Sequence, residues 1–184
     1  MLIIFEGSDL SGKSTIAENV AKKLPADTYL TKMCSRPKDN SDEEKNKVYK
    51  RYWNIVEWYK FIYTLSEGKD TMVLDRFYPS EAVYSFKRGY DALVDKRIAE
   101  LDTYIDAEFK ALIIYCEPSM EVLKQRLNNR GDDFIDEEDL LKIRARYESF
   151  LQFTCCKVIR YNTENGLENI DKLIEKIKQI GDIK

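Results

Sequence analysis

The sequence predicts an α/β fold in which a five-stranded parallel sheet is flanked by helices. Short apolar segments alternate along the chain with longer segments of helical periodicity, which is the pattern of a parallel sheet covered on both faces. A glycine-rich loop stands between the first apolar segment and the first helical one. The length of 184 residues favours one domain with a sizeable core, so residues 1–184 are predicted to form a single unit.

The strands are predicted from short runs of apolar and β-branched residues. The runs Thr71–Leu74 and Ala111–Cys116 are largely apolar, as is typical of strands buried on both faces of a sheet. The five predicted strands lie near residues 2–6, 28–31, 71–74, 111–116 and 157–161.

The helices are predicted from apolar residues that recur every three or four positions. The segment 48–65 is rich in aromatic residues and ends before Gly68. An acidic loop over residues 131–136 precedes the sixth helix, and acidic residues there favour a helix N-terminus rather than a metal site. The predicted helices cover residues 15–24, 48–65, 80–89, 93–104, 118–128, 137–153 and 169–180.

Residues 7–14 form the phosphate-binding pattern G-x-x-x-x-G-K-[ST] between the first strand and the first helix. Its glycines let successive N–H groups point into one concavity, and the helix N-terminus adds positive potential. Lys13 is expected to reach the β- and γ-phosphates of ATP as a catalytic group, and the Ser14 hydroxyl to hold Mg²⁺. The predicted ATP-binding residues are Gly7, Ser11, Gly12, Lys13, Ser14 and Thr15.

The composition excludes several classes of function. The formal net charge is −3 with no basic stripe, so nucleic-acid binding is not expected. The chain has no histidine, which excludes His-dependent nucleophile systems and His-ligated metal sites. No apolar run approaches 18 residues, so neither a membrane span nor a signal peptide is predicted. The chain is expected to be cytoplasmic, with reduced and mostly buried thiols at Cys34, Cys116, Cys155 and Cys156.

Three segments in the right order resemble thymidylate kinases, the dTMP branch of the nucleoside monophosphate kinases. They are residues 5–15 around the glycine-rich loop, the run Asp75–Tyr84, which resembles the family's D-R-Y-x-x-S-x-x-x-Y segment, and residues 126–147. The third resembles the family's lid and the helix after it, so a lid is expected at about 126–139. The resemblance implies γ-phosphoryl transfer from Mg·ATP to a pyrimidine deoxynucleoside monophosphate, dTMP first, and a homodimer.

The resemblance also implies acceptor-binding residues. Asp9 would receive the sugar 3′-hydroxyl, and Arg76 would hold the acceptor phosphate at the carboxyl end of the third strand, where open α/β sheets bind ligands. Asp75 would act through Mg²⁺ or orient Arg76. Further acceptor-side residues are Arg36, Ser80 and Tyr84 in the motifs, and Tyr49, Arg51 and Trp53 on the aromatic helix near the base.

Leu10 occupies a loop position at which some members of the family carry a catalytic arginine. The charge of the transition state must then be met from the lid. Arg126 and Arg130 are the predicted catalytic arginines, because their spacing of four residues places them on one helix face.

Three other functions are weighed against this one. A deoxynucleoside kinase has the same fold but phosphorylates a 5′-hydroxyl and needs a base beside it, and Asp75 leaves this question open. A guanine-nucleotide switch would need an Asn-Lys-x-Asp motif, whereas Asn46-Lys47 continues with Val48-Tyr49. A remodelling ATPase would want a second acid after Asp75, and Arg76 stands there instead.

Overall fold

A computed structural model describes residues 1–33, 38–39, 41–48, 50, 57, 70–130 and 135–183 of the chain. Its sheet has five parallel strands in the order β2-β3-β1-β4-β5. The strands are β1 (Leu2–Glu6), β2 (Thr28–Lys32), β3 (Thr71–Asp75), β4 (Leu112–Cys116) and β5 (Lys157–Tyr161). The predicted fold class is confirmed, and each strand lies within one residue of its predicted bounds.

Six α-helices have both ends within the described residues, and residues 42–48 are also helical. The six are α1 (Lys13–Lys23), α2 (Tyr78–Tyr84), α3 (Lys96–Phe109), α4 (Met120–Arg130), α5 (Glu137–Phe153) and α6 (Ile170–Gly181). Short 3₁₀ turns at Ser85–Arg88 and Ala92–Val94 lie between α2 and α3. The predicted aromatic helix 48–65 lies mostly outside the described residues.

The predictions for residues 80–104 were partly wrong. The helix predicted at 80–89 begins at Tyr78 and changes to a 3₁₀ turn, which ends at the left-handed Gly89. The helix predicted at 93–104 starts at Lys96, because the Asp95 carboxylate caps it by accepting from the Arg97 N–H. It continues to Phe109 and ends before Lys110, which has a φ of 47°.

The sheet has a hydrophobic cluster on each face, because successive side chains of a strand point to opposite sides. Ile4 and Leu74 belong to the cluster that includes α2, α3 and α5. Phe5 and Ile114 belong to the one that includes α1 and α6. With both faces packed, the carboxyl ends of β1 and β3 are held side by side, with Phe5 opposite Asp75 in register.

The composition led to expectations about the cysteine thiols and about membrane-spanning helices. Cys116 and Cys156 are buried free thiols, whereas Cys155 is exposed because it lies in the turn between α5 and β5; Cys34 is outside the described residues. None of the helices in the described ranges has the length and apolar character needed to cross a membrane.

Candidate active site

The loop after β1 has the shape of a phosphate cradle. Gly7 has a φ of 150°, and a Cβ there would lie 2.5 Å from the carbonyl oxygen of Cys116, so a larger residue would collide with the backbone. Gly12 has a φ of 82° and stands immediately before α1. The left-handed conformation favours glycine at that position, and it leaves the first N–H groups of α1 directed at the loop.

Lys13 is the first residue of α1 and is 8% exposed. Burial and, to a smaller extent, the nearby Arg76 guanidinium lower the pKa of its ammonium to about 8, against the opposing charges of Asp9 and Asp75. A polyphosphate bound in the cradle would favour the charged form and raise this pKa.

We therefore expect ATP binding near pH 8 to take up about half a proton per site, because a group with a pKa of about 8 is half-protonated there before binding. Uptake should rise toward one proton as the pH approaches 9. Isothermal titration calorimetry in buffers of different ionisation enthalpy measures it. The Lys13→Arg variant, whose guanidinium stays charged, should show no such uptake; equal uptake by both proteins would contradict the assignment.

Ser14 and Asp75 form a pair beside the cradle, although 61 positions separate them in the chain. The Ser14 hydroxyl donates to Oδ2 of Asp75 at 2.6 Å. Asp75 Oδ1 is buried and accepts no hydrogen bond from the described part of the chain. Carboxylate and hydroxyl oxygens are ligands that Mg²⁺ prefers, so these two side chains fit a Mg²⁺ ion.

Arg76 is the centre of a hydrogen-bond network at the carboxyl end of β3. Its φ of 69° is unusual for a residue with a side chain, and its backbone N–H donates to the Phe5 carbonyl at 3.0 Å. Nη1 donates to Ser80 Oγ at 2.9 Å and to the Tyr147 hydroxyl at 3.2 Å. Nη2 donates to Asp9 Oδ1 at 3.2 Å.

Tyr84 closes the network on the side of the glycine-rich loop. Its hydroxyl donates to Asp9 Oδ2 at 2.8 Å and accepts from Arg76 Nη2 at 3.1 Å. The pKa of the Tyr84 hydroxyl is raised well above its usual value, first by burial, so it stays a donor at neutral pH. The structure thus brings together four of the predicted acceptor-side residues, Asp9, Arg76, Ser80 and Tyr84.

Arg126 and Arg130 differ in their surroundings, although both lie on α4. Arg126 Nη1 donates to the carbonyl of Leu10 at 2.9 Å, and Nη2 to the carbonyl of Thr163 at 3.1 Å. Thr163 is buried, and its hydroxyl donates to the Ser11 carbonyl at 2.5 Å. Arg130 is exposed at the last residue of the helix. Arg126 therefore connects the loop to the segment after β5.

The remaining predicted site residues fall into two groups. Thr15 is exposed on the first turn of α1, beside the cradle. Four lie outside the described residues: Arg36, Tyr49, Arg51 and Trp53.

Sequence reasoning did not assign a role to Glu6, Tyr147 or Thr163. For Glu6 a signal existed, since it is the one charged residue of an otherwise apolar strand. Tyr147 and Thr163 carry no distinguishing pattern in the chain.

The chain is similar in sequence to a protein family and to known proteins. A family model described as an AAA domain matches residues 2–150. A probable thymidylate kinase of Archaeoglobus fulgidus is 27% identical in an alignment 192 positions long, which covers 96% of this chain and 94% of the relative.

Two solved structures share the fold. A crystal structure of the YorR protein of Bacillus subtilis in complex with phosphorylated GDP has a TM-score of 0.65 and 24% identity, covering 99% of this chain and 96% of that one. A structure of deoxyadenosine kinase from M. mycoides with the products dCMP and dCDP has a TM-score of 0.58 and 21% identity over the full length of both chains. The chain therefore shares the fold of these two structures.

Proposed function

The chain belongs to the AAA-domain family of P-loop proteins, and from this premise we propose that it is an ATP-dependent nucleotide kinase. It transfers the γ-phosphoryl of Mg·ATP to the phosphate of a pyrimidine deoxynucleoside monophosphate, with dTMP as the first candidate. The observation that carries the proposal is the Asp9–Arg76 ion pair, which joins an acid of the phosphate loop after β1 to an arginine at the carboxyl end of the adjacent strand β3.

The donor side follows from the cradle. Backbone N–H groups at the start of α1 and the Lys13 ammonium hold the β- and γ-phosphates, and positive charge there stabilises the transferring group. Ser14 and Asp75 would hold the Mg²⁺ ion, which supplies further positive charge to the phosphates when bound.

On the acceptor side, Arg76 is the residue proposed to bind the phosphate of the monophosphate. The Arg76 side chain is 11% exposed, and the hydroxyls of Ser80 and Tyr147 accept hydrogen bonds from one edge of its guanidinium. An acceptor phosphate would take the place of the Asp9 carboxylate on Nη2 and receive charge-assisted hydrogen bonds. Asp9 would then accept from a sugar hydroxyl, since an ionised carboxylate only accepts.

The comparisons support a nucleotide kinase of this kind without fixing the base. The Archaeoglobus fulgidus relative is a probable thymidylate kinase, whereas the YorR complex contains phosphorylated GDP. Ser85 stands where thymidylate kinases continue with Gln, and it is fully buried with its hydroxyl donating to the Ala82 carbonyl at 3.0 Å. Base selection therefore depends on other residues.

A second candidate is a deoxynucleoside kinase, which the deoxyadenosine kinase fold of M. mycoides favours. Such an enzyme needs a side chain that acts as a general base near the acceptor 5′-hydroxyl. Asp75 accepts from Ser14 through Oδ2, which connects its carboxylate to the donor side of the site. This contact favours a phosphate acceptor.

One assay separates these functions. ADP release is followed with Mg·ATP and, in turn, dTMP, dUMP, dCMP, dGMP, dAMP and the corresponding nucleosides. Release stimulated by a pyrimidine monophosphate supports the proposal, and release stimulated only by nucleosides supports the second candidate. ADP release that no acceptor stimulates would overturn both.

Arg76→Ala tests the acceptor side. The KM for the monophosphate should rise by about 10²-fold, because a charge-assisted contact to phosphate is lost, while the KM for ATP should change less than about threefold. Steady-state kinetics with each substrate varied gives both constants. Arg88→Ala is the control, because it removes a guanidinium that pairs with Glu81 on the neighbouring part of the fold. An effect of Arg76→Ala confined to ATP would move Arg76 to the donor side.

A further inference from the structure

Glu6 is a fully buried carboxylate at the end of β1, and neither side of the proposed reaction uses it. It accepts three hydrogen bonds. Oε1 accepts from the Phe77 N–H at 2.7 Å, and Oε2 accepts from Ser80 Oγ at 2.6 Å and from the Tyr147 hydroxyl at 2.8 Å. Burial of a carboxylate is costly, and here the three hydrogen bonds and the nearby charge of Arg76 oppose that cost.

Two of these donors also contact Arg76. Ser80 Oγ and the Tyr147 hydroxyl each accept from Nη1, at 2.9 and 3.2 Å. A hydroxyl has one proton, so a hydroxyl that donates to Glu6 keeps its lone pairs for the guanidinium. The carboxylate therefore sets the direction of the two acceptors that fix one edge of Arg76.

The third donor fixes the backbone. Phe77 follows Arg76, whose φ of 69° is sparsely populated by residues with a side chain. Glu6 Oε1 holds the N–H immediately after that residue at 2.7 Å. Because one carboxylate holds both the backbone after Arg76 and the acceptors of its side chain, it over-determines the position of the guanidinium.

We propose that Glu6 is a positioning residue, which acts through Ser80 and Tyr147 to aim Arg76 at the acceptor phosphate. The proposal rests on the proposed function for the identity of the ligand, but the geometry of Arg76 can be measured without it.

The chain contains a matched structural counterpart. Asp102 is also buried, and it likewise accepts from a tyrosine hydroxyl, a second hydroxyl and a backbone N–H: Tyr78 at 2.6 Å, Thr154 at 2.6 Å and Cys155 at 2.6 Å. None of these contacts reaches Arg76. Loss of a hydroxyl at this second network therefore shows what a purely structural loss does.

The kinetic test compares Tyr147→Phe with Tyr78→Phe. Both remove one buried tyrosine hydroxyl that donates to a buried carboxylate, so both should lower the melting temperature. Only Tyr147→Phe, and more strongly Glu6→Gln, should raise the KM for the monophosphate, by about tenfold or more, with the KM for ATP within about twofold. An equal rise in Tyr78→Phe, or no rise in Tyr147→Phe, would overturn the proposal.

A spectroscopic test is independent of activity. The Nε–H signal of Arg76 in a ¹⁵N-labelled protein reports the environment of the guanidinium. It should keep its position and width in Tyr78→Phe, and shift or broaden in Tyr147→Phe and Glu6→Gln. If Glu6→Gln does not fold, Tyr147→Phe decides. An unchanged signal in the folded variants overturns the positioning role, even if the kinase assay succeeds. A shifted signal supports that role even if no monophosphate is a substrate, an outcome that defeats only the proposed function.

Discussion

Lys13→Met is expected to abolish phosphoryl transfer while leaving a folded protein that is more stable than the wild type in the absence of ligand. Catalysis should fall because the ammonium that meets the transferring phosphoryl is removed, a loss on the order of 3 kcal/mol or more in transition-state stabilisation. Stability should rise because a charged group buried without phosphate is unfavourable, as its pKa of about 8 shows.

The direction of this stability change follows from the protonation of Lys13 in the folded and in the unfolded chain. Below pH 8 Lys13 is charged in both the folded and the unfolded chain, so the whole cost of burying the charge is present. Between pH 8 and 10.5 only the folded chain has released the proton, so wild-type stability rises with pH. At pH 7 the lowered pKa of Lys13 corresponds to a loss of at most about 3 kcal/mol in the free energy of unfolding of the wild type.

Chemical unfolding at pH 7 and pH 10, together with single-turnover kinetics, measures both effects. The stability advantage of Lys13→Met should be largest at pH 7 and shrink toward pH 10. Lys22→Met makes the same change at an exposed position of α1 and should keep wild-type turnover. Normal turnover in folded Lys13→Met would show that the loop does not hold the transferring phosphate.

The fold could be predicted because its signals are local. The strand runs are apolar and the helices between them are periodic, so the strands were correct to within one residue. Residues 80–104 were placed less well, since the boundaries there depend on the Asp95 cap and on the left-handed Gly89, which interrupt a continuous apolar periodicity. Local propensity gave the element type but not its limits.

The candidate site could be predicted only in part. The cradle is a contiguous motif, and the resemblance to thymidylate kinases indicated Asp75 and Arg76; the pairing of β1 with β3 brings them beside the loop. The support of Arg76 could not be predicted, because Tyr147 is 71 positions away in the chain and its hydroxyl matters only through the tertiary fold. A buried hydrogen-bond network leaves no spacing pattern in a sequence.

The two lid arginines were equivalent in the sequence, and the structure distinguishes them. Arg126 donates to the carbonyls of Leu10 and Thr163, so it braces the loop before any ligand binds. Leu10 contributes no positive charge, although its φ of 64° shows that the loop backbone is tightly turned there. Arg130 is exposed at the last residue of α4. A transition-state contact from Arg130 therefore requires movement, whereas Arg126 already touches the loop.

Different kinetic effects are expected from these positions. Arg130→Ala should lower kcat by about 10²-fold with little change in either KM, because its contact forms mainly in the transition state. Arg126→Ala should also raise the KM for ATP, because it removes the brace on the cradle. Lys124→Ala, which removes a charge on the same helix that pairs with Glu137, is the control and should keep kcat within about twofold.

Single-turnover and steady-state kinetics of both single variants and the double variant separate chemistry from binding. The predicted lid should also become less accessible to protease between residues 128 and 136 when a bisubstrate inhibitor is bound, because closure on both substrates brings Arg130 to the phosphoryl group. Wild-type kcat in all three variants would rule out the lid arginines, and the charge on the transferring group would then have to be met by Lys13 and Mg²⁺ alone. A loss of kcat confined to Arg126→Ala would instead assign the transition-state contact to the arginine that already lies against Leu10.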